Sequence, residues 1–186
     1  PTRRSSDLDL IANMDYESFT NIEMAMFYKG LYLQSEIMNN NLIRKNNLET
    51  LNYGGFHIEG AYMLLGGRQV YNKGEGEFTQ PDFGRKWGDV EFVVRYDYVN
   101  LNDKDVNGGA AEGITAGFNI YAGNNFKFQI NYSYINHDRY ASGKNKLFVG
   151  KDVEGNLTKD PTKVATSAGN AGDDYGMLGV RFQIAF

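Results

Sequence analysis

Ser133 and His137 stand four residues apart, and hydrolytic chemistry in this chain would have to begin with such a pair. On a strand the two side chains share a face, but about 13 Å separates them, too far for a serine to pass its proton to an imidazole. His57 is the other imidazole, on a separate segment. With 2 His and 0 Cys there is no thiolate nucleophile, no disulfide and no cluster for a transition metal. Asp152 and Asp173-Asp174 could hold calcium, but a solvated loop is the preferred reading of that polar stretch. Gly74-Glu75-Gly76 lacks the strand–helix context of a phosphate loop. No catalytic residue, metal or cofactor is expected.

The charged side chains are more informative, because they alternate with apolar ones. Val90, Phe92, Val94, Tyr96 and Tyr98 interleave with Asp89, Glu91, Val93, Arg95 and Asp97. Phe126, Phe128, Ile130, Tyr132 and Tyr134 interleave with Lys127, Gln129, Asn131 and Ser133. Ile114, Ala116, Phe118 and Ile120 interleave with Thr115, Gly117, Asn119 and Tyr121. At the end of the chain, Leu178, Val180, Phe182, Ile184 and Phe186 oppose Met177, Gly179, Arg181, Gln183 and Ala185. A period of two is a strand with two unlike faces. The same alternation, less clean, runs through Phe19–Tyr28, Leu31–Met38 and Gly55–Leu65. Seven strands and no helix follow.

An apolar strand face needs a cover. A terminal strand ending on Phe186 has no following segment to cover it, and lipid does that in a transmembrane barrel. Composition agrees: 13 Tyr and 12 Phe against 1 Trp, 22 Gly, and a mean hydropathy of −0.50 with no long apolar run. The net charge of −4 gives no nucleic-acid footprint. Rings near the strand ends form two expected belts: Tyr53, Phe56, Tyr98, Tyr132, Tyr134 and Tyr175 at one, and Tyr28, Trp87, Tyr121, Phe126 and Phe186 at the other.

Lys29-Gly30 and Gly123-Asn125 read as tight turns, whereas Asn39–Tyr53, Leu101–Glu112 and His137–Asp174 read as long polar joins. Parity puts the long joins outside the cell and the tight turns in the periplasm if the C-terminus is periplasmic. The long connection Gly66–Trp87 then falls on the periplasmic side, which fits less well.

Residues 1–8 carry no initiator Met and no signal-peptide core. They resemble a translated sequencing adapter, the alternative being a natural basic loop, and are set aside as non-native. Seven is odd, and single-chain bacterial barrels have even strand numbers. The expectation is that residues 9–186 are the C-terminal part of a longer barrel.

Several blocks then resemble one family. Trp87-Gly88-Asp89-Val90-Glu91-Phe92-Val93-Val94-Arg95-Tyr96-Asp97-Tyr98, followed by Val99-Asn100-Leu101-Asn102-Asp103 and Gly108-Gly109, is similar to a strand-and-loop signature of the phosphate-selective porins O and P. Gly117–Tyr121 with Asn125–Tyr132 resembles the next hairpin, and Arg181-Phe182-Gln183-Ile184-Ala185-Phe186 resembles the family's close. Gly54–Tyr62 is a weaker likeness. The resemblance implies an all-β antiparallel meander, about seven strands of a sixteen-stranded outer-membrane porin, trimeric when complete. It implies passive diffusion of small hydrophilic solutes or ions, phosphate or other anions among them. The alternatives are a non-channel all-β surface or adhesive protein and, less favoured, a barrel enzyme.

Partners on this reading are outer-membrane lipid, the assembly machinery, and small ions or solutes. Glu91, Arg95, Lys127 and Arg181 are the candidate lumen-facing residues; Phe182 and Phe186 are the candidate assembly signal. Six acids (Glu23, Glu36, Glu59, Asp89, Glu91, Asp97) share that expected face with three bases (Arg95, Lys127, Arg181), so this stretch alone makes no anion funnel. Pairing of Glu91, Arg95 and Arg181 near Lys127 across the inner wall is the preferred reading of those charges.

Overall fold

The computed structural model describes residues 11, 13–104, 106–138, 150–158, 163, 165 and 173–184. Residues 1–8 and Phe186 lie outside these, and with them the expectations placed on both. Seven long strands form one sheet: β1 (Met14–Tyr28), β2 (Leu31–Arg44), β3 (Leu51–Met63), β6 (Gly88–Asp103), β7 (Val106–Ala122), β8 (Phe126–Asp138) and β11 (Asp173–Ile184). Two small hairpins lie between them, β4 (Tyr71–Asn72) with β5 (Glu77–Phe78), and β9 (Gly150–Lys151) with β10 (Leu157–Thr158).

Each long strand pairs antiparallel with its neighbour along the chain, in the order β1-β2-β3-β6-β7-β8-β11. This is a meander, and β1 and β11 are its edges. Lys29 (φ 53) turns β1 into β2, and Gly123 (φ 64) turns β7 into β8.

Two joins are shorter than the composition suggests. β2 runs on to Arg44 and β3 starts at Leu51, so the expected long join at Asn39–Tyr53 shrinks to residues 45–50. Asn46 and Asn47 there take positive φ, which asparagine tolerates. The expected join at Leu101–Glu112 is a hairpin, with β6 reaching Asp103 and β7 resuming at Val106 around Lys104 (φ 50). The backbone pairs on past the end of the clean hydrophobic alternation, and Leu42, Leu51, Tyr53 and Val106 form a small buried cluster there.

The register keeps like side chains together across the sheet. Phe92 lies opposite Phe118, Phe118 opposite Ile130, and Ile130 opposite Val180. Val90, Ile120, Phe128 and Phe182 form the adjacent row. Because a one-residue slip would flip a strand, this agreement over four strands fixes the faces. The apolar face is open: Phe182, Val180, Leu178, Ile114, Ile58 and Ile22 are all exposed. On β8 it runs from Phe126 to Tyr134, about 27 Å along the strand at ~3.4 Å per residue. A tilt of about 40° projects that to about 21 Å, close to the ~25 Å apolar band of an outer-membrane barrel.

Tyr28, Phe56, Tyr98, Phe126 and Tyr134 lie on this face, in keeping with the expected belts. Tyr53, Tyr121 and Tyr175 do not. Tyr121 is opposite Asp89 and Lys127, and Tyr175 opposite Ile135, on the other face; Tyr53 is buried against Leu42, Leu51 and Val106.

Candidate functional site

The second face is polar, and the register assembles it row by row. Arg181 faces Gln129, Gln129 faces Asn119, and Asn119 faces Glu91. Arg95 is four residues beyond Glu91 on β6 and therefore on the same side. It faces Glu59 on β3 and Thr115 on β7. Lys127 sits between Tyr121 and Gln183. The four residues singled out by alternation, Glu91, Arg95, Lys127 and Arg181, thus share one face, with Asn131 and Gln183.

They do not share one environment. Glu91 is almost fully buried and accepts three hydrogen bonds: from Gln69 Nε2 at 2.7 Å, Asn119 Nδ2 at 2.7 Å and Tyr121 Oη at 2.9 Å. Three donors on a buried carboxylate compensate its desolvation. Arg95 is partly exposed and pairs with Asp97 at 2.7 Å and Glu59 at 3.7 Å. Tyr32 donates its hydroxyl to Glu59. His57 Nδ1 lies 3.5 Å from Glu36. Asn21 Nδ2 donates to Glu23 and Glu36 at 3.0 and 2.9 Å. Lys127 Nζ lies over the Tyr121 ring, 5.0 Å from its centroid, with no carboxylate bridge among the described residues. Arg181 is exposed and likewise unbridged there. The expected pairing of Glu91, Arg95 and Arg181 near Lys127 is not seen among the described residues; Arg95 pairs instead with Glu59 and Asp97.

The long connection 64–87 is the feature that alternation could not reveal. It folds onto the polar face and is tied down by Asp89. That carboxylate is fully buried and accepts from the backbone N–H groups of Leu65, Gly67, Gly84 and Val90 at 2.7–3.0 Å. The expectation of Asp89 as a wall charge is thereby corrected: it is an internal anchor. Gly67 permits the approach, since a Cβ there would come within 2.5 Å of both Asp82 O and Asp89 Oδ2. Gly88 (φ +142) is required for a similar reason, because a Cβ would strike the Tyr121 carbonyl.

From this anchor the β4–β5 hairpin reaches across the sheet. Phe78 stacks on Tyr32 with centroids 4.8 Å apart and meets Tyr71 and Phe27 edge-on. Phe83 packs on Tyr121 at 5.4 Å. Between connection and sheet is a cavity of ≈ 440 Å³ lined by Gln34, Glu59, Glu91, Arg95, Lys127 and Asn131 among others.

Ser133, considered for hydrolysis, and Asp152 and Asp174, considered for calcium, have partners elsewhere. Ser133 shares a hydrogen bond with Thr115 (2.8 Å). Asp152 accepts from the backbone of Glu154 (3.1 Å) and Asn156 (2.8 Å), closing the β9–β10 turn, and Asp174 takes the Tyr134 hydroxyl at 3.4 Å. Among the described residues no group of three His, Cys, Asp or Glu could hold a metal ion. Of the candidate assembly residues, Phe182 lies on the apolar face and stacks with Phe126, centroids 6.3 Å apart.

A family model for phosphate-selective porin O and P matches residues 2–155. An uncharacterized protein of Caulobacter vibrioides is 31% identical over 88 residues, a match covering 46% of this chain and 18% of that protein. Across their match the chain thus spans under a fifth of that relative's length.

Proposed function

The chain belongs to the phosphate-selective porin O and P family, and from that premise we propose that it builds part of the wall of an outer-membrane pore in a Gram-negative bacterium. Small hydrophilic solutes or ions pass through that pore by passive diffusion. One observation carries the reading: seven strands in unbroken antiparallel order present an exposed apolar face, while the opposite face gathers the charges, carboxamides and the folded-in connection. Lipid suits the first face and a water-filled lumen the second.

The edges β1 and β11 would pair with further strands of the complete barrel, since open edges are not tolerated in lipid. The complete protein would be a trimer delivered by the outer-membrane assembly machinery. On selectivity, the polar face supports no simple anion preference, because Glu23, Glu36, Glu59 and Asp97 share it with Arg95, Lys127 and Arg181. Electrostatics would select by the sum over the whole lumen.

The test is planar-bilayer recording of the full-length protein. Stepwise conductance with an ohmic response supports the pore. Purified, inserted protein that passes no ions would overturn it in favour of a surface or adhesive role.

A further inference from the structure

The cavity between the β4–β5 connection and the sheet has a composition that selects a chemical class of ligand. Its charged groups are two carboxylates, Glu59 and Glu91, and two bases, Arg95 and Lys127, so its formal charge sums to zero. The carboxylates are held: Glu91 by three donors, and Glu59 by Tyr32 and Arg95.

The open hydrogen-bonding groups are carboxamides and the Lys127 ammonium. Gln34 and Asn131 line the cavity and make no side-chain hydrogen bond to a described residue. Gln129 donates to Asn119 at 2.7 Å and keeps its oxygen available. A carboxamide both donates and accepts, and so does a hydroxyl. A phosphate at neutral pH mainly accepts: Lys127 and Arg95 could donate to it, but it would also meet the carboxamide oxygens and two carboxylates. Phe78, Pro81 and Val93 add apolar surface beside these groups, suited to the C–H faces of a sugar ring. The volume of ≈ 440 Å³ lies within the ~300–1,000 Å³ range of small-molecule sites.

We propose that this cavity binds a neutral polyhydroxylated solute, a saccharide of one or two rings, as a subsite along the diffusion path. The inference rests on the pore reading above.

Two measurements on the full-length protein separate the inference from that reading. Isothermal calorimetry in detergent, with glucose, maltose and inorganic phosphate as separate titrants, reports binding without requiring conduction. Planar-bilayer current reports the pore and its block. Saccharide binding, with concentration-dependent current block by glucose or maltose, is expected. Gln34→Leu with Asn131→Leu should weaken saccharide binding roughly ten-fold or more, on the order of one lost hydrogen bond per site. A folded, conducting protein that binds phosphate but neither sugar would overturn the inference and leave the pore intact. So would saccharide binding unchanged in the double variant. Absence of conductance with saccharide binding retained would overturn the pore reading and leave the site.

Discussion

Gln69 Nε2 donates to Glu91 Oε1 across 2.7 Å, and this bond links the folded-in connection to a carboxylate that also holds β6 to β7. Removing the carboxylate should therefore damage both at once. Glu91→Ala leaves donors on Gln69, Asn119 and Tyr121 without their acceptor, at a cost of roughly 3 kcal/mol. The temperature at which the folded, fast-migrating gel form is lost should fall. Glu91→Gln keeps one acceptor oxygen and should fall less. Equal midpoints for all three proteins would mean that the network is not coupled to barrel stability.

Asp89 anchors the connection through backbone groups at both of its ends. Asp89→Asn keeps the size but replaces an acceptor by an N–H₂ aimed at backbone donors. The connection should then open to protease while the strands remain paired. Limited trypsin digestion of detergent-folded protein reads this directly, since Arg68, Lys73, Arg85 and Lys86 all lie in the segment. Faster cleavage at these sites with unchanged strand content is the expected result; identical digestion patterns would count against the anchor.

Met177 and Leu178 are adjacent, both exposed, at 52% and 66%, and on opposite faces. If lipid covers the apolar face, Leu178→Arg should impair insertion, by less than the ~2–4 kcal/mol of an arginine at the bilayer midplane because Leu178 lies opposite Tyr132 and toward one rim of the apolar band. Met177→Arg should be tolerated. Folded yield into liposomes, scored by gel mobility, compares them. Equal yields would remove the lipid assignment.

Arg95 and Arg181 differ in their partners, and so should their variants. Arg181 has no ion pair among the described residues, so Arg181→Ala should shift the reversal potential in a salt gradient toward cations with little effect on assembly. Arg95→Ala also removes the counter-ion of Glu59 and Asp97 and should shift it at least as far. Unchanged reversal potential in both variants would make them wall charges without influence on permeating ions. Phe186→Ala should instead lower the amount of inserted full-length protein more than its single-channel conductance.

The faces of the sheet were legible in the sequence because side-chain direction alternates with every residue and lipid or water then sorts the types. Val90 through Tyr98 and Phe126 through Tyr134 needed nothing else. The strand ends were less legible. Asn39–Arg44 and Leu101–Asp103 continue the backbone ladder past the apolar band, where no hydrophobic alternation marks a strand. The packing of the 64–87 connection was not legible at all. It depends on Asp89 meeting N–H groups as many as 24 residues earlier, from Leu65 onward, and on Glu91 meeting Gln69. Backbone donors have no sequence signature, so Asp89 and Glu91 looked like any other charged residues facing the lumen. Gly67, Gly84 and Gly88 were local hints of close approach.

The anchoring of the connection also depends on how the strands pair. Asp89 is the second residue of β6, while Leu65, Gly67 and Gly84 all precede the strand. Their carboxylate partner takes its position where β6 pairs with β3, through pairs such as Met63 with Glu91. The seat for the connection is thus complete only where β6 lies beside β3, and the space left open on the polar face depends on that pairing as well as on strand number.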